Sequence, residues 1–85
     1  MLFKTKYIRT ENNQIIVFSG LLQHIQFSHF SPISAGFIAF GVRPDENGRA
    51  EVHCECYGES VSLKLKSNEE SDTELAMKQI LGYGY

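Results

Sequence analysis

The sequence predicts an α+β domain: a small curved antiparallel sheet or barrel of about five strands, with a short helix before the third strand and a C-terminal helix. Three observations carry that expectation. Residues 33–42 are apolar on both parities, residues 50–56 and 60–66 alternate apolar with polar, and residues 67–81 carry a helix start, an apolar face and a glycine stop. A run apolar on both parities suits a strand covered on both faces, and alternation suits a half-buried strand. Capping chemistry followed by helical periodicity marks a helix.

Eighty-five residues make one domain, 1–85. A chain this size buries only about 60–65% of the surface its unfolded form exposes, so its stability margin is thin. Two cysteines cannot build a disulfide framework, which makes a partner subunit a natural supplement. A hydrophobic content of 42% with 21% charged residues argues against disorder. Net charge is −2, from eight Lys/Arg against ten Asp/Glu, which counts against nonspecific nucleic-acid binding. No apolar run reaches the ~18 residues of a membrane span. The opening residues Met1 to Lys6 lack the apolar core of a signal peptide, so a cytoplasmic location with free thiols is expected.

From Phe3 to Thr10, aromatic and β-branched residues mixed with Lys4 and Lys6 predict a strand at a sheet edge, where lysines discourage unwanted pairing. Glu11-Asn12-Asn13 is a turn, and Gln14 to Ser19 is a second strand that closes a hairpin. Residues 20–30 admit two readings. Leu21, Leu22, Ile25 and His29 share a helical face, whereas Ile25 and Phe27 alternate with His24, Gln26 and Ser28. The preferred reading is a short helix from about His24 to Phe30, stopped before Ser31-Pro32 because the residue before proline avoids the α region.

Ile33 to Val42 is expected to be a central strand. Ile38, Phe40 and Val42 share one face; Ala35, Phe37, Ala39 and Gly41 share the other, and the smaller face is where a helix should dock. Pro44, Asp45, Asn47 and Gly48 give the next connection strong turn chemistry. A two-residue turn at Asn47-Gly48 would pair Gly41 with Cys54. A five-residue loop over 44–48 would pair Val42 with Ala50 and Phe40 with Val52, and is preferred because it unites the large apolar sets. A two-residue loop at Gly58-Glu59 would then oppose Cys56 to Val61, Cys54 to Leu63 and Val52 to Leu65. On the outer face it would set Glu51 against Lys66 and Glu55 against Ser62.

Ser67 to Leu81 should be helical. Ser67…Glu70 and Ser71…Glu74 are capping-box spacings, and Glu69, Glu70 and Asp72 load the positive end of the dipole. Leu75, Ala76, Gln79 and Ile80 form one face with Met77 and Leu81 beside it, Gly82 is the cap, and Tyr83-Gly84-Tyr85 is a short tail.

Each chemically tempting feature has a plainer explanation. Cys54 and Cys56 lie two apart on a strand, so their Cα atoms are ~6.5–7 Å apart, at the limit for a disulfide. They lack the Cys-x-x-Cys spacing of a metal knuckle and are expected to be inert core thiols. His53 points to the opposite face, and His24 and His29 are five apart, so no metal set forms. His53 adjoins Cys54, but neighbouring strand residues face opposite ways, and Tyr57-Gly58-Glu59-Ser60 reads as a turn rather than a nucleophile site. No catalytic, cofactor-binding or metal-ligating residue is therefore assigned, no cofactor is expected, and the chain is read as a non-enzyme. Lys4, Lys6, Arg9, Lys64 and Lys66 with Tyr7 would suit single-stranded nucleic acid if they shared a surface, but Glu51 and Glu55 fall on the same face. The expected function is a non-catalytic protein-interaction module whose partner is a protein, a second copy included. A small nucleic-acid-binding β-barrel is the alternative, and no membrane is expected.

Ile33-Ser34-Ala35-Gly36-Phe37-Ile38, Cys56-Tyr57-Gly58-Glu59-Ser60-Val61-Ser62-Leu63 and Lys66-Ser67 with its acidic helix start carry a resemblance, as does the His24…Phe27 step. The chain resembles a group of short proteins of unknown function from tailed-phage, prophage and host bacterial genomes, over roughly residues 14–81. That resemblance implies a phage or mobile-element accessory protein and brings no activity, cofactor or site residue with it.

Overall fold

The computed structural model describes residues 4–82. In chain order these form strands β1 (Thr5–Thr10) and β2 (Ile15–Phe18), a 3-10 helix (His24–Phe30), strands β3 (Pro32–Pro44), β4 (Ala50–Tyr57), β5 (Glu59–Ser60) and β6 (Leu65–Lys66), and helix α1 (Glu69–Leu81). Four strands make one antiparallel sheet in the order β2-β1-β3-β4, while β5 and β6 pair only with each other. The fold is α+β with an open sheet, and the expected barrel does not close. Phe3 and the tail Tyr83–Tyr85 lie outside the described residues.

β1 is a central strand, not an edge. It pairs with β2 and β3, and Tyr7 and Ile8 have no exposed surface. The lysines that suggested an edge find local partners instead. Lys6 Nζ donates to Leu22 O at 2.7 Å, and Lys4 Nζ sits 5.3 Å from the Phe37 ring centre. β3 is central as well, but its cover runs out: Ile38 is buried, whereas Phe40 and Val42 are 46% and 67% exposed.

The β3–β4 ladder pairs Val42 with Val52, Phe40 with Cys54 and Pro44 with Ala50, two residues away from the preferred register. Asp45 sets this. Its Oδ1 accepts from the amides of Asn47 and Arg49, its own N–H donates to Arg49 O at 2.8 Å, and Gly48 supplies φ +76°. The loop therefore closes over 45–49. The shift is even, so the large apolar residues still share a face.

Helix α1 docks on the face opposite to the one expected. Ala76, Leu75, Met77 and Leu81 pack on Tyr7, Ile15, Ile38, Cys54 and Cys56. The narrow side chains that admit the helix belong to β4 (the two cysteines) and to the helix itself (Ala76), rather than to β3. The Ala35 face is covered by Phe27, Leu63 and Leu65 over Ile8 and Phe18.

That second face also accounts for the failure of the Gly58-Glu59 hairpin. Gly58 at φ +78° turns the chain off β4, and a Cβ there would stand 3.0 Å from the Phe37 ring. The chain then makes a tight return over 61–64, with Lys64 at φ +57° and Lys64 N donating to Val61 O. Ser60 is buried and Val61 is 82% exposed, the reverse of the expected parity. Leu63 and Leu65 are spent covering Ile8 and Ala35, not Cys54 and Val52.

A single helix does what barrel closure would have done. The Cys56 amide donates to Thr73 Oγ1 at 2.9 Å and the Cys54 amide to Met77 Sδ at 3.4 Å, both on β4. On β2, the Ile15 amide donates to Gln79 Oε1 at 2.8 Å, and Gln79 Nε2 returns a bond to Asn13 O. Both outer strands thus bond the same helix, which blunts edges that would otherwise recruit another strand.

The expected short helix is present at His24–Phe30, with 3-10 geometry. Helix α1 starts at Glu69, two residues later than expected, and the side chain of its N-cap Asn68 makes no capping hydrogen bond. Neither capping box supplies the cap; Asp72 Oδ2 accepts the Asn68 amide instead, at 3.1 Å. Gly82 ends the helix at φ +68°. Ile80, expected on the buried face, is 40% exposed.

Candidate functional site

Two features deserve a chemical test: a buried polar cluster where α1 begins, and an exposed apolar face on the β3–β4 arm. The cluster is centred on Asp72, which has no exposed surface. Its Oδ2 accepts from the Tyr7 hydroxyl at 2.5 Å, the Ser34 hydroxyl at 2.7 Å and the Asn68 amide. Its Oδ1 pairs with Arg9 Nη1 at 3.0 Å, and the same nitrogen donates to Ser71 Oγ at 2.7 Å. Arg9 Nε and Nη2 both donate to Asn13 Oδ1. Because the Tyr7 proton goes to Asp72, Ser67 Oγ donates to the tyrosine oxygen.

This arrangement fastens rather than reacts. Burial, followed by the Asp72 carboxylate, pushes the Tyr7 hydroxyl far up from its ordinary value, so it stays protonated. Among the described residues no buried side-chain nitrogen or oxygen lacks a partner. A general base needs a free lone pair aimed at a substrate position, and Asp72 has spent its own on β1, β3 and the helix entry. Asp72, Arg9, Tyr7, Ser34 and Ser67 were not singled out as a cluster from sequence. The signal was there, since Asp72 lies three, four and seven residues before Leu75, Ala76 and Gln79, on the apolar stripe itself.

Cys54 and Cys56 are free and buried, 2% and 3% exposed. Burial raises both thiols, and with Asp72 nearby Cys56 is pushed up to about 12, the opposite of an activated nucleophile. His24 is buried with its Nε2–H donating to Gly36 O at 2.8 Å, and its ring stands edge-on to Phe18 and Phe37. His29 lies tilted against Phe30 with ring centres 4.2 Å apart, and His53 lies under Gly41 on the other side of the sheet from the thiols. The histidines are not brought together, and among the described residues no three His, Cys, Asp or Glu groups are placed to hold a metal ion.

Of the basic stripe, Arg9 and Lys66 line one groove with Glu69, while three members of the set are committed within the fold. Tyr7 is under α1, Arg9 is committed to Asp72 and Asn13, and Lys6 is tied to Leu22. A stacking platform needs an exposed aromatic ring beside the cations, and Tyr7 offers none.

The exposed arm is different. By strand parity, Phe40, Val42, Pro44, Ala50, Val52 and Cys54 lie on one face and none carries charge, while Arg43, Glu51, His53 and Glu55 lie on the other. Val52 is 44% exposed and borders a groove lined by Ala50, Ile80 and Leu81 together with the acids Asp45 and Glu51. No described helix is long and apolar enough to cross a membrane. No family model, curated protein or solved structure matches the chain.

Proposed function

We propose that this chain is a non-catalytic protein-interaction module and that its contact surface is the uncharged face of the β3–β4 arm. One observation carries the reading. Phe40, Val42 and Val52 are contiguous in the ladder, each is more than two-fifths exposed, and no charge interrupts them. Interface cores are depleted in charge and enriched in aromatic and apolar side chains, and contiguous exposed apolar surface marks contact sites. The polar groups that resemble chemistry are consumed in folding: Asp72 by its four donors, the thiols by burial. The resemblance to short phage and prophage proteins supports a role as an accessory of a mobile element.

The test is a photo-crosslinking amino acid placed at position 42, with a second at position 55 on the opposite face, in the native cell. The expected result is a discrete protein adduct from position 42 and none from position 55. Adducts with nucleic acid, or no adduct from position 42, would overturn the reading.

A further inference from the structure

We propose that the occupant of the uncharged arm face is a second copy of this chain, packed face to face about a two-fold axis. This rests on reading that face as a protein contact. Val42 stands directly opposite Val52 in the β3–β4 ladder, so an axis beside that pair stacks each valine pair on its copy. Sheets packed in this way lie ~10 Å apart.

Charge favours self-association. The ladder residues of the face carry no charge, and the acids Asp45 and Glu51 line the groove at its border. Pairing the ladder face with itself therefore buries no charge at its centre, whereas a strongly charged partner would lose hydration there without a counter-charge. The rim around the arm tip is mixed in sign. Arg43 and Arg49 are exposed at the tip and make no ion pair among the described residues, with Glu46 exposed and Asp45 and Glu51 half-buried beside them. In an isologous interface each surface meets its own equivalent. A rim of both signs therefore offers each copy's arginines the other copy's acids.

Area points the same way. At their observed exposures Phe40, Val42, Val52 and Ile80 present on the order of 350 Å² of apolar surface, against roughly 450–520 Å² on one side of a standard interface. Pro44 and Ala50, both exposed, adjoin them in the ladder, and Leu81 lines the neighbouring groove.

Sedimentation equilibrium on the purified full chain across the micromolar range tests the proposal. The expected mass is twice the 9.6 kDa of one chain. Val42→Glu puts like charges at the axis and should weaken association by roughly 100-fold or more. Its circular dichroism should be unchanged, because position 42 is 67% exposed. Glu55→Arg, on the opposite face, should leave the dimer intact. A single-chain mass for the unaltered protein, or undiminished association of Val42→Glu, would overturn the second-copy assignment. If the chain is monomeric while position 42 crosslinks to a different protein, the contact surface stands and only its occupant is wrong. If it is monomeric and position 42 yields no protein adduct, both fail.

Discussion

The Tyr7 hydroxyl donates a 2.5 Å hydrogen bond to Asp72, joining a strand to a helix 65 residues away where neither residue has exposed surface. The bond fixes the entry of α1 over β1. Ser34 and Arg9 reach the same carboxylate, so the first turn of the helix is held to β3 and β1 together.

Asp72→Ala removes the common acceptor and leaves a half-buried arginine and two buried hydroxyls without it. Stripping one partner from a buried pair costs about 3–5 kcal/mol, a large part of a small domain's stability. Tyr7→Phe removes the bond to the charged acceptor and the one accepted from Ser67, and should cost about 1.5–3 kcal/mol. Because Tyr7 and Asp72 share the first of these bonds, the double variant should be milder than the sum by about 0.5 kcal/mol or more. Urea unfolding followed by circular dichroism measures all three, and additive losses would mean that the bond contributes nothing.

His24 should make the fold acid-sensitive. Burial, with Lys6 adding to it, lowers its pKa from the ordinary 6.5. As pH falls through 6.5 the unfolded chain takes up the proton first, so stability declines below that value until the folded pKa is passed. The melting temperature should fall from pH 7.5 towards pH 5, and His24→Gln should flatten the profile. An equally steep profile in that variant would assign the effect elsewhere.

The thiols should be silent until the alkaline range. Cys56, raised from 9.0 to about 12 by burial and by Asp72, remains protonated in the folded chain. Its unfolded counterpart ionises first as pH rises, so its contribution is whole below 9.0 and is lost by about 12. Iodoacetamide at pH 8 should spare both cysteines in the native protein and modify both in urea. Rapid native alkylation of either would contradict the burial described for it.

Thr73→Val and Gln79→Ala test the edge bonds. Each leaves one strand amide, that of Cys56 or Ile15, without its acceptor, at a cost of about 1–3 kcal/mol. Amide hydrogen exchange should accelerate at Cys56 in the first variant and at Ile15 in the second. Unchanged protection at both would show that the sheet edges do not depend on the helix.

Much of this architecture is legible in the chain because local chemistry and tertiary structure agree. The β1–β2 hairpin follows from Asn12-Asn13 between two apolar runs, with Asn13 taking the left-handed φ of +61° that asparagine tolerates. Gly82 is where a helix cap should be. The failures come from alternation, which records which side chains are apolar and not what covers them. Ser60 to Lys66 alternates as a strand would, yet the leucines are needed on the far face beneath Ile8 and Ala35. Phe40, Val42 and Val52 read as core because they are apolar, but no described element covers them fully. Asp72 reads as one more acid at a helix start, although its spacing from Leu75 and Ala76 places it inward.

The bonds from α1 to both outer strands also set a timetable. Thr73, Met77 and Gln79 lie near the C-terminal end of the sequence, so the four strands of the main sheet are synthesised before either edge has its partner. A chain truncated before residue 73 lacks the partners of both edges and leaves the sheet open on both sides, the form most prone to pair with a neighbouring strand. Docking of α1 is therefore the moment at which this sheet stops being a template for other strands.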